Sequence, residues 1–165
     1  MASTISVYAR IRPPDRGAPL AEGLSVLDSQ QLLVRNLEFS LDHVFDEKAT
    51  QSAVYDVVAR ESIAKVASGF NVCVLAYGQT GSGKTHTMFG PDEVLADWRG
   101  SGSQEKHGIA LRAITDLFEA AGGAGDTAVT ASYIEVYNDQ CNDLLSGRRA
   151  LPLREGPTKQ PYVEG

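Results

Sequence analysis

The spacing of apolar residues follows two different periods along the chain, and each period predicts one kind of element. Apolar and polar residues alternate over residues 5–12 and again over residues 37–42, as they do in strands that cover a core with one face. Residues 31–35 form another strand candidate, and a turn near Asn36 would join it to residues 37–42 as an antiparallel pair. Residues 72–77 are apolar throughout, which is typical of a parallel strand that is buried on both faces.

Helical spacing separates these strand candidates. From Thr50, which has the side chain of an N-cap residue, apolar residues return every three or four positions as far as Gly69, a suitable helix stop. The same spacing predicts a helix over residues 110–121 that ends at a run of glycines, and residues 128–137 predict a further strand. Because strands and helices alternate in this order, we predict an α/β fold with a central, mostly parallel sheet flanked by helices.

Other stretches have no sustained period and predict irregular structure. Two prolines end the first strand candidate, and a loop follows them. Residues 91–107 are polar and rich in Gly and Ser, so we interpret them as a long surface loop, and a solvated insertion is favoured over a functional loop. A turn candidate at Asn138 and Asp139 is followed by a short helical turn over residues 143–145 and by an irregular tail over residues 146–165.

Composition sets limits on the class of protein. The 165 residues are 42% hydrophobic, which is enough for the core of one domain, and the formal net charge of −6 argues against nucleic acid or an anionic membrane as a partner. Cys73 and Cys141 form no metal-binding pattern, and Cys73, inside the apolar run, is predicted to be buried. Since no signal-type or membrane-spanning segment is present, the sequence predicts a soluble protein in a reducing, intracellular setting.

The strongest candidate for chemistry is the segment at residues 78–85, which matches the phosphate-loop pattern G-x-x-x-x-G-K-[ST] at all four fixed positions. The glycines would let backbone N–H groups turn towards a phosphate, and Lys84 would carry a positive charge to the β- and γ-phosphates. The hydroxyl of Thr85 would complete the ligand shell of a Mg²⁺ ion. The loop lies between the apolar run and a helix candidate that begins at Lys84, so strand, loop and helix follow in the order that a phosphate site needs.

Five separate segments resemble motifs of kinesin motor domains, in the same order. Residues 76–88 resemble the kinesin phosphate-loop signature, and residues 7–13 resemble the R-x-R-P motif of the first strand. Residues 42–45 and 51–55 together resemble the segment that enters the first helix. Residues 132–139 resemble the strand motif S-Y-[IL]-E-[IV]-Y-N-[ED], and residues 143–145 resemble the D-L-L that follows it. The resemblance extends from residue 5 to residue 165. It implies an incomplete phosphate-loop NTPase fold, in which the chain is the N-terminal half of a motor domain.

The resemblance also implies a nucleotide site and assigns residues to it. Arg10, Pro13 and His86 would form the adenine pocket, with the imidazole and the proline ring on either side of the base and the guanidinium stacked at its edge. Lys84 would be the catalytic residue, and Thr85 would be the ligand of Mg²⁺. The phosphates of ATP or ADP would lie against the whole loop, which consists of Gly78, Gln79, Thr80, Gly81, Ser82, Gly83, Lys84 and Thr85.

Departures from the kinesin pattern change what we expect of the chain. Residues 108–112 are G-I-A-L-R where the family has G-I-x-P-R, which predicts an altered entry to the following helix. The strings N-x-x-S-S-R-S-H and D-L-A-G-S-E, which sense the γ-phosphate in kinesins, do not occur in the sequence. Because phosphoryl transfer depends on positioning and charge around that phosphate, we expect these residues alone to bind nucleotide without efficient hydrolysis. We also expect central strands without their sheet neighbours, an arrangement that favours aggregation.

Partners and location follow from the same resemblance. It implies a microtubule-stimulated ATPase that moves along microtubules, with tubulin bound through segments that these residues lack and with no coiled coil within them. The implied location is the microtubule cytoskeleton of the cytoplasm, or the axoneme of a cilium. Two alternatives stay open: a kinesin-derived structural or binding subunit of a larger cytoskeletal assembly, and a phosphate-loop NTPase unrelated to motors. Neither nucleic acid nor a membrane is expected as a partner.

Overall fold

A computed structural model of the chain describes five stretches, residues 5–14, 18–97, 104–122, 128–157 and 159–164. The chain separates into two compact units, residues 1–125 and residues 126–165. All the helices in the described stretches belong to the first unit. The single domain expected over residues 1–165 stays a prediction.

The first unit begins with a pair of parallel strands. Strand β1 (Tyr8–Arg10) lies beside strand β5 (His43–Phe45), with Ala9 opposite Val44. Both Val44 and Phe45 are buried, so this pair forms the sheet side of the core. Strand β1 is shorter than the predicted strand over residues 5–12, since a strand extends only as far as its partner pairs with it. Within the described residues this is the one parallel pairing, and the predicted parallel sheet is limited to it.

A three-stranded antiparallel sheet lies between these two strands in the sequence. It consists of β2 (Leu24–Val26), β3 (Gln31–Val34) and β4 (Leu37–Ser40), in that order. Arg35 and Asn36 join β3 to β4 with φ angles of 47° and 67°, the left-handed geometry of a two-residue hairpin turn. The predicted antiparallel pair is therefore confirmed. All four side chains of β4 are exposed, so its alternation does not cover a core in this chain.

The first helical segment starts at the predicted cap. The Thr50 hydroxyl oxygen accepts a hydrogen bond from the Ala53 N–H at 3.1 Å, which confirms the N-cap. Helix α1 (Gln51–Tyr55) continues through a π-helical turn (Asp56–Arg60) into helix α2 (Glu61–Val66). The segment stops before Gly69, whose φ of 91° favours a residue without a Cβ atom.

Three further helices complete the first unit. They are α3 (Lys84–Met88), α4 (Asp92–Ala96) and α5 (Ile109–Ala121), and a 3₁₀ turn (Gln104–Lys106) precedes α5. The helix predicted over residues 110–121 is confirmed. No helix in the described stretches is long and apolar enough to cross a bilayer.

The surface loop predicted over residues 91–107 is wrong where α4 and the 3₁₀ turn form. Val94 in α4 is only 1% exposed, so burial of an apolar side chain stabilises a short helix inside an otherwise polar stretch. The Ser- and Gly-rich centre of this prediction, residues 98–103, lies outside the described residues. Two glycines bring the ends together: a Cβ on Gly108 would lie 2.5 Å from the Met88 carbonyl carbon, and one on Gly90 would lie 2.5 Å from the Lys106 oxygen.

The core of the first unit lies between β5, the first helical segment and α5. Its members are Phe45, Val54, Tyr55, Ala59 and Ile109, and Val74 and Met88 pack against their edge. Four of them belong to elements that the apolar periods predict. The periods therefore identify two of the elements that supply the core, and the contacts decide which of their residues are buried.

The apolar run at residues 72–77 departs from its prediction. It forms no helix or strand, and Leu75 and Tyr77 are 83% and 94% exposed. Cys73 is exposed too, so the predictions of a buried strand and a buried thiol are wrong for this chain. A central parallel strand is buried by neighbours on both edges and both faces, and only Val74 of this run packs against the core.

The second unit consists of two hairpins. Strands β6 (Ile134–Tyr137) and β7 (Gln140–Asp143) pair through the predicted turn at Asn138 and Asp139, whose φ angles are 48° and 58°. Strands β8 (Leu153–Glu155) and β9 (Pro161–Val163) form the second hairpin.

Three predictions for the second unit need correction. The predicted strand over residues 128–137 is limited to β6, because β7 pairs only with that part. The short helical turn predicted over residues 143–145 is wrong, because Asp143 ends β7 and a turn follows it. The irregular tail predicted over residues 146–165 contains β8 and β9, whose pairing satisfies backbone groups in a stretch with no apolar period.

Candidate nucleotide-binding site

The loop before α3 is shaped by its three glycines. Gly78, Gly81 and Gly83 have φ angles of 155°, 80° and 98°, a region that residues with a Cβ rarely adopt. A Cβ on Gly78 would also lie 2.5 Å from the Ser82 hydroxyl oxygen, so that atom would occupy space inside the loop. The loop glycines thus occupy positions whose backbone geometry favours glycine, and at Gly78 a side chain would also meet Ser82 of the same loop.

Lys84 folds back over this loop. Its ammonium group donates hydrogen bonds to the carbonyl oxygens of Gly78 and Gln79, each at 2.9 Å. The first residue of α3 therefore closes the loop with a positive charge. Carbonyl oxygens are neutral acceptors, so the charge is not cancelled and remains able to attract an anion.

The remaining loop residues are spread along the open side. Gln79, Thr80 and Gly81 are exposed, and the Ser82 N–H donates to the Gln79 oxygen at 3.2 Å. Thr85 is also exposed, in the first turn of α3, which leaves its hydroxyl accessible to a metal ion. In the described part of the chain no cluster of three or more His, Cys, Asp or Glu residues would hold a metal. A phosphate-loop site fits this donor set, because one hydroxyl, the nucleotide's phosphate oxygens and water molecules can together complete the octahedral shell of Mg²⁺.

A second cationic residue lies where β1 meets α1 and α3. Arg10 donates to the Gln51 side-chain oxygen at 2.8 Å, to the Thr87 hydroxyl at 3.1 Å and to the Ala49 carbonyl at 3.2 Å. All three acceptors are neutral, and burial lowers the pKa of Arg10 from its ordinary value. The guanidinium is thus fixed in position without a carboxylate partner in these contacts.

Arg10 and His86 line one cavity of about 940 Å³, together with residues from α1, α4 and the 3₁₀ turn. Burial lowers the pKa of His86, and the positive charge of Arg10 lowers it further. Pro13, the third residue predicted for the base, is exposed and is not part of the cavity lining. The structure therefore brings together two of the three residues expected at the base.

Two residues that contact this site, Arg12 and Gln51, were not among those predicted for it. Arg12 donates to the Gly81 carbonyl oxygen and so joins the end of β1 to the loop. The period of two already placed Arg12 on the same face as Arg10, and this signal could have identified it. Gln51 is 7% exposed and its side-chain nitrogen donates to the His86 carbonyl at 2.6 Å. No sequence pattern marks it, since its partners are distant in the chain.

Comparison with known proteins decides the family. The Kinesin motor domain family matches residues 21–165. Human kinesin-like protein KIF15 is 40% identical over 98% of this chain, and kinesin-like protein KIN-7L of Oryza sativa subsp. japonica is 35% identical over 98%. The chain belongs to the kinesin motor-domain family. The resemblance identified from the five motifs is confirmed.

A solved kinesin shows the fold. The structure described as that of a fast kinesin, with implications for ATPase mechanism and interactions with microtubules, superimposes with a TM-score of 0.81 at 27% identity over 98% of this chain. The predicted fold class, α/β of the phosphate-loop NTPase type, is confirmed. This kinesin chain spans 47% of that solved chain and 12% and 26% of the lengths of the human and rice relatives.

Proposed function

We propose that this kinesin chain is the nucleotide-binding part of a microtubule motor and that it binds ATP or ADP with Mg²⁺. The observation that carries the proposal is the loop itself, in which three glycines have positive φ angles and the Lys84 ammonium donates to two carbonyl oxygens of the loop. Successive backbone N–H groups in a glycine-rich turn of this kind can form an anion-binding concavity. The overall charge of −6 does not oppose this role, because Lys84 and Arg12 bring positive charge to the loop and Arg10 brings it to the cavity lining, which also contains Glu93 and Glu105.

Each residue has a distinct part in the proposed site. Lys84 exchanges its two carbonyl contacts for phosphate oxygens and stabilises negative charge at the β- and γ-phosphates, which is the catalytic role assigned to it. Thr85 holds Mg²⁺, which supplies charge neutralisation when bound. Arg10 and His86 contact the adenine base in their shared cavity. Pro13, which follows β1 and does not line that cavity, keeps the part assigned to it by the family resemblance, on the outer face of the base.

The proposal extends to the partners of the motor. The fast kinesin's description names an ATPase mechanism and interactions with microtubules, and we propose the same activity and the same partner for the motor that contains this chain. Its location is then the microtubule cytoskeleton, in the cytoplasm or in a ciliary axoneme. Neither nucleic acid nor a membrane is a proposed partner.

Lys84→Ala tests the site directly. We expect ATP binding in the presence of Mg²⁺ to fall by at least about a hundredfold, because a charge-assisted contact to phosphate is lost. Isothermal titration of the parent and the variant measures this change. Lys65→Ala is the matched control, since Lys65 is 56% exposed and pairs only with the surface carboxylate of Glu61 in the described contacts. Equal ATP affinity of the parent and Lys84→Ala would contradict the assignment.

A further inference from the structure

Gln51 has a buried side-chain amide whose oxygen and nitrogen both form hydrogen bonds. It is the first residue of α1 and is 7% exposed. Its side-chain oxygen accepts from Arg10 at 2.8 Å, and its side-chain nitrogen donates to the His86 carbonyl at 2.6 Å. One side chain therefore joins β1, α1 and α3 at the cavity that Arg10 and His86 line.

The chemistry of the amide suits this position. A buried amide has to satisfy both its acceptor and its donor, so its orientation is determined by Arg10 on one side and by the α3 backbone on the other. A glutamate of the same shape would accept from Arg10 and neutralise it, and it would place an oxygen against the His86 carbonyl oxygen. The neutral amide instead holds the guanidinium in place and leaves its charge uncancelled.

Gln51 contacts the Arg10 guanidinium, which is proposed to face the base, and the backbone carbonyl of His86, the residue whose imidazole is proposed to face it. Arg10 is also held by the Thr87 hydroxyl and the Ala49 carbonyl, which belong to the same corner of the unit. The imidazole of His86 follows the orientation of its own backbone, and the carbonyl of that backbone is the acceptor of the Gln51 amide. A change at Gln51 thus alters the relative placement of the guanidinium and the imidazole without a change in either group.

We propose that Gln51 is a positioning residue for the base end of the nucleotide: it sets the spacing between Arg10 and His86, and through them it contributes to the affinity for adenine but not to the affinity for phosphate. This inference rests on the proposed function. It separates the site into a phosphate part, carried by the loop and Lys84, and a base part, whose geometry Gln51 determines.

The test compares two ligands, Mg²⁺–ATP and Mg²⁺–tripolyphosphate, by isothermal titration of the 165-residue chain. For Gln51→Ala we expect ATP affinity to fall about tenfold and tripolyphosphate affinity to change by less than about twofold. Gln51→Glu, which retains the acceptor for Arg10, is also expected to lose about tenfold for ATP only. The control is Gln31→Ala in β3, whose exposed side chain lies away from the cavity lining.

The ratio of the ATP affinity to the tripolyphosphate affinity distinguishes a lost base contact from partial unfolding of the variant. Loss of folded protein lowers apparent binding of both ligands by the same factor, whereas a lost base contact changes only ATP binding. An equal loss for both ligands, or no loss for either, overturns the role of Gln51. If the parent chain binds tripolyphosphate and ATP with equal affinity, the base part is overturned and the phosphate part stands. If the parent binds neither ligand, the proposed function fails and this role fails with it.

Discussion

The surroundings of His86 favour its neutral form. Burial and the charge of Arg10 both lower the pKa of the imidazole from its ordinary value of 6.5. A neutral ring can stack on a base without adding a second positive charge beside Arg10, which agrees with the role proposed for it. The loop shows a steric limit at the same scale, because a Cβ on Gly78 would contact Ser82 inside the loop that Lys84 closes.

The lowered pKa of His86 predicts a pH dependence of stability. In the unfolded chain the imidazole takes up a proton as the pH falls through about 6.5, whereas the folded chain resists protonation until a lower pH. The free energy of unfolding should therefore fall as the pH drops through this window and level off below the folded pKa. Urea unfolding of the parent and of His86→Gln, at about pH 7.5 and about pH 5.5, measures the effect.

The sequence contains three histidines and the variant replaces one of them, so the difference between the proteins isolates His86. We expect the parent to lose more free energy of unfolding than His86→Gln over the same pH interval. Equal losses in both proteins would show that His86 does not carry the dependence. The side chain is exposed in part, so the effect is small and requires the paired measurement.

At the scale of elements, the first helical segment and α5 are joined by one polar cluster. The Tyr55 hydroxyl donates to Asp116 at 2.6 Å, and Arg60 lies 3.3 Å from the same carboxylate oxygen. The Arg60 guanidinium also lies 5.0 Å from the centre of the Tyr55 ring. Burial and Asp116 raise the pKa of Tyr55 far above its ordinary value, so the hydroxyl remains a donor. The apolar period predicted both helices, but it did not predict this junction or the π turn beside it.

Tyr55→Phe should weaken that junction. Tyr55 is fully buried, and the variant removes a hydrogen bond to a charged group while it retains the ring. We expect a loss of about 1–2 kcal/mol in the free energy of unfolding, measured by urea titration, with ATP affinity unchanged. Tyr77→Phe is the matched control because Tyr77 is 94% exposed. Equal stability of Tyr55→Phe and the parent would mean that water replaces the bond without cost.

At the scale of the whole molecule, the apolar run at residues 72–77 and the loop that follows it differ in what holds them. Leu75 is 83% exposed within a segment whose composition is that of a buried strand. The loop that follows keeps its glycine geometry and the Lys84 contacts, because these bonds are formed between neighbours in the sequence. The loop geometry thus depends on residues close together in the sequence, whereas burial of the apolar run depends on segments that are distant in the sequence.

A phosphate loop without the strings that sense the γ-phosphate predicts the ATPase activity of residues 1–165 alone. We expect negligible microtubule-stimulated ATP turnover, because the two strings that sense the γ-phosphate in kinesins are absent from these residues while the loop is present. Phosphate release with and without polymerised tubulin measures it, and ATP titration of the same sample provides the control for a competent loop. Rapid phosphate release stimulated by microtubules would contradict the expectation.

The sequence alone determined the phosphate-loop segment, the helices within residues 51–66 and 109–121 and the hairpin turns at residues 35–36 and 138–139, because each depends on residues that are close together in the chain. Glycines at positive φ, a capping hydroxyl at Thr50 and a period of 3.6 are local rules. Only the tertiary structure decided that β1 lies beside β5, that Gln51 joins Arg10 to α3 and that residues 72–77 are not covered. Burial and hydrogen bonding between distant segments depend on which neighbours are present, and an apolar period specifies a face without specifying what covers it.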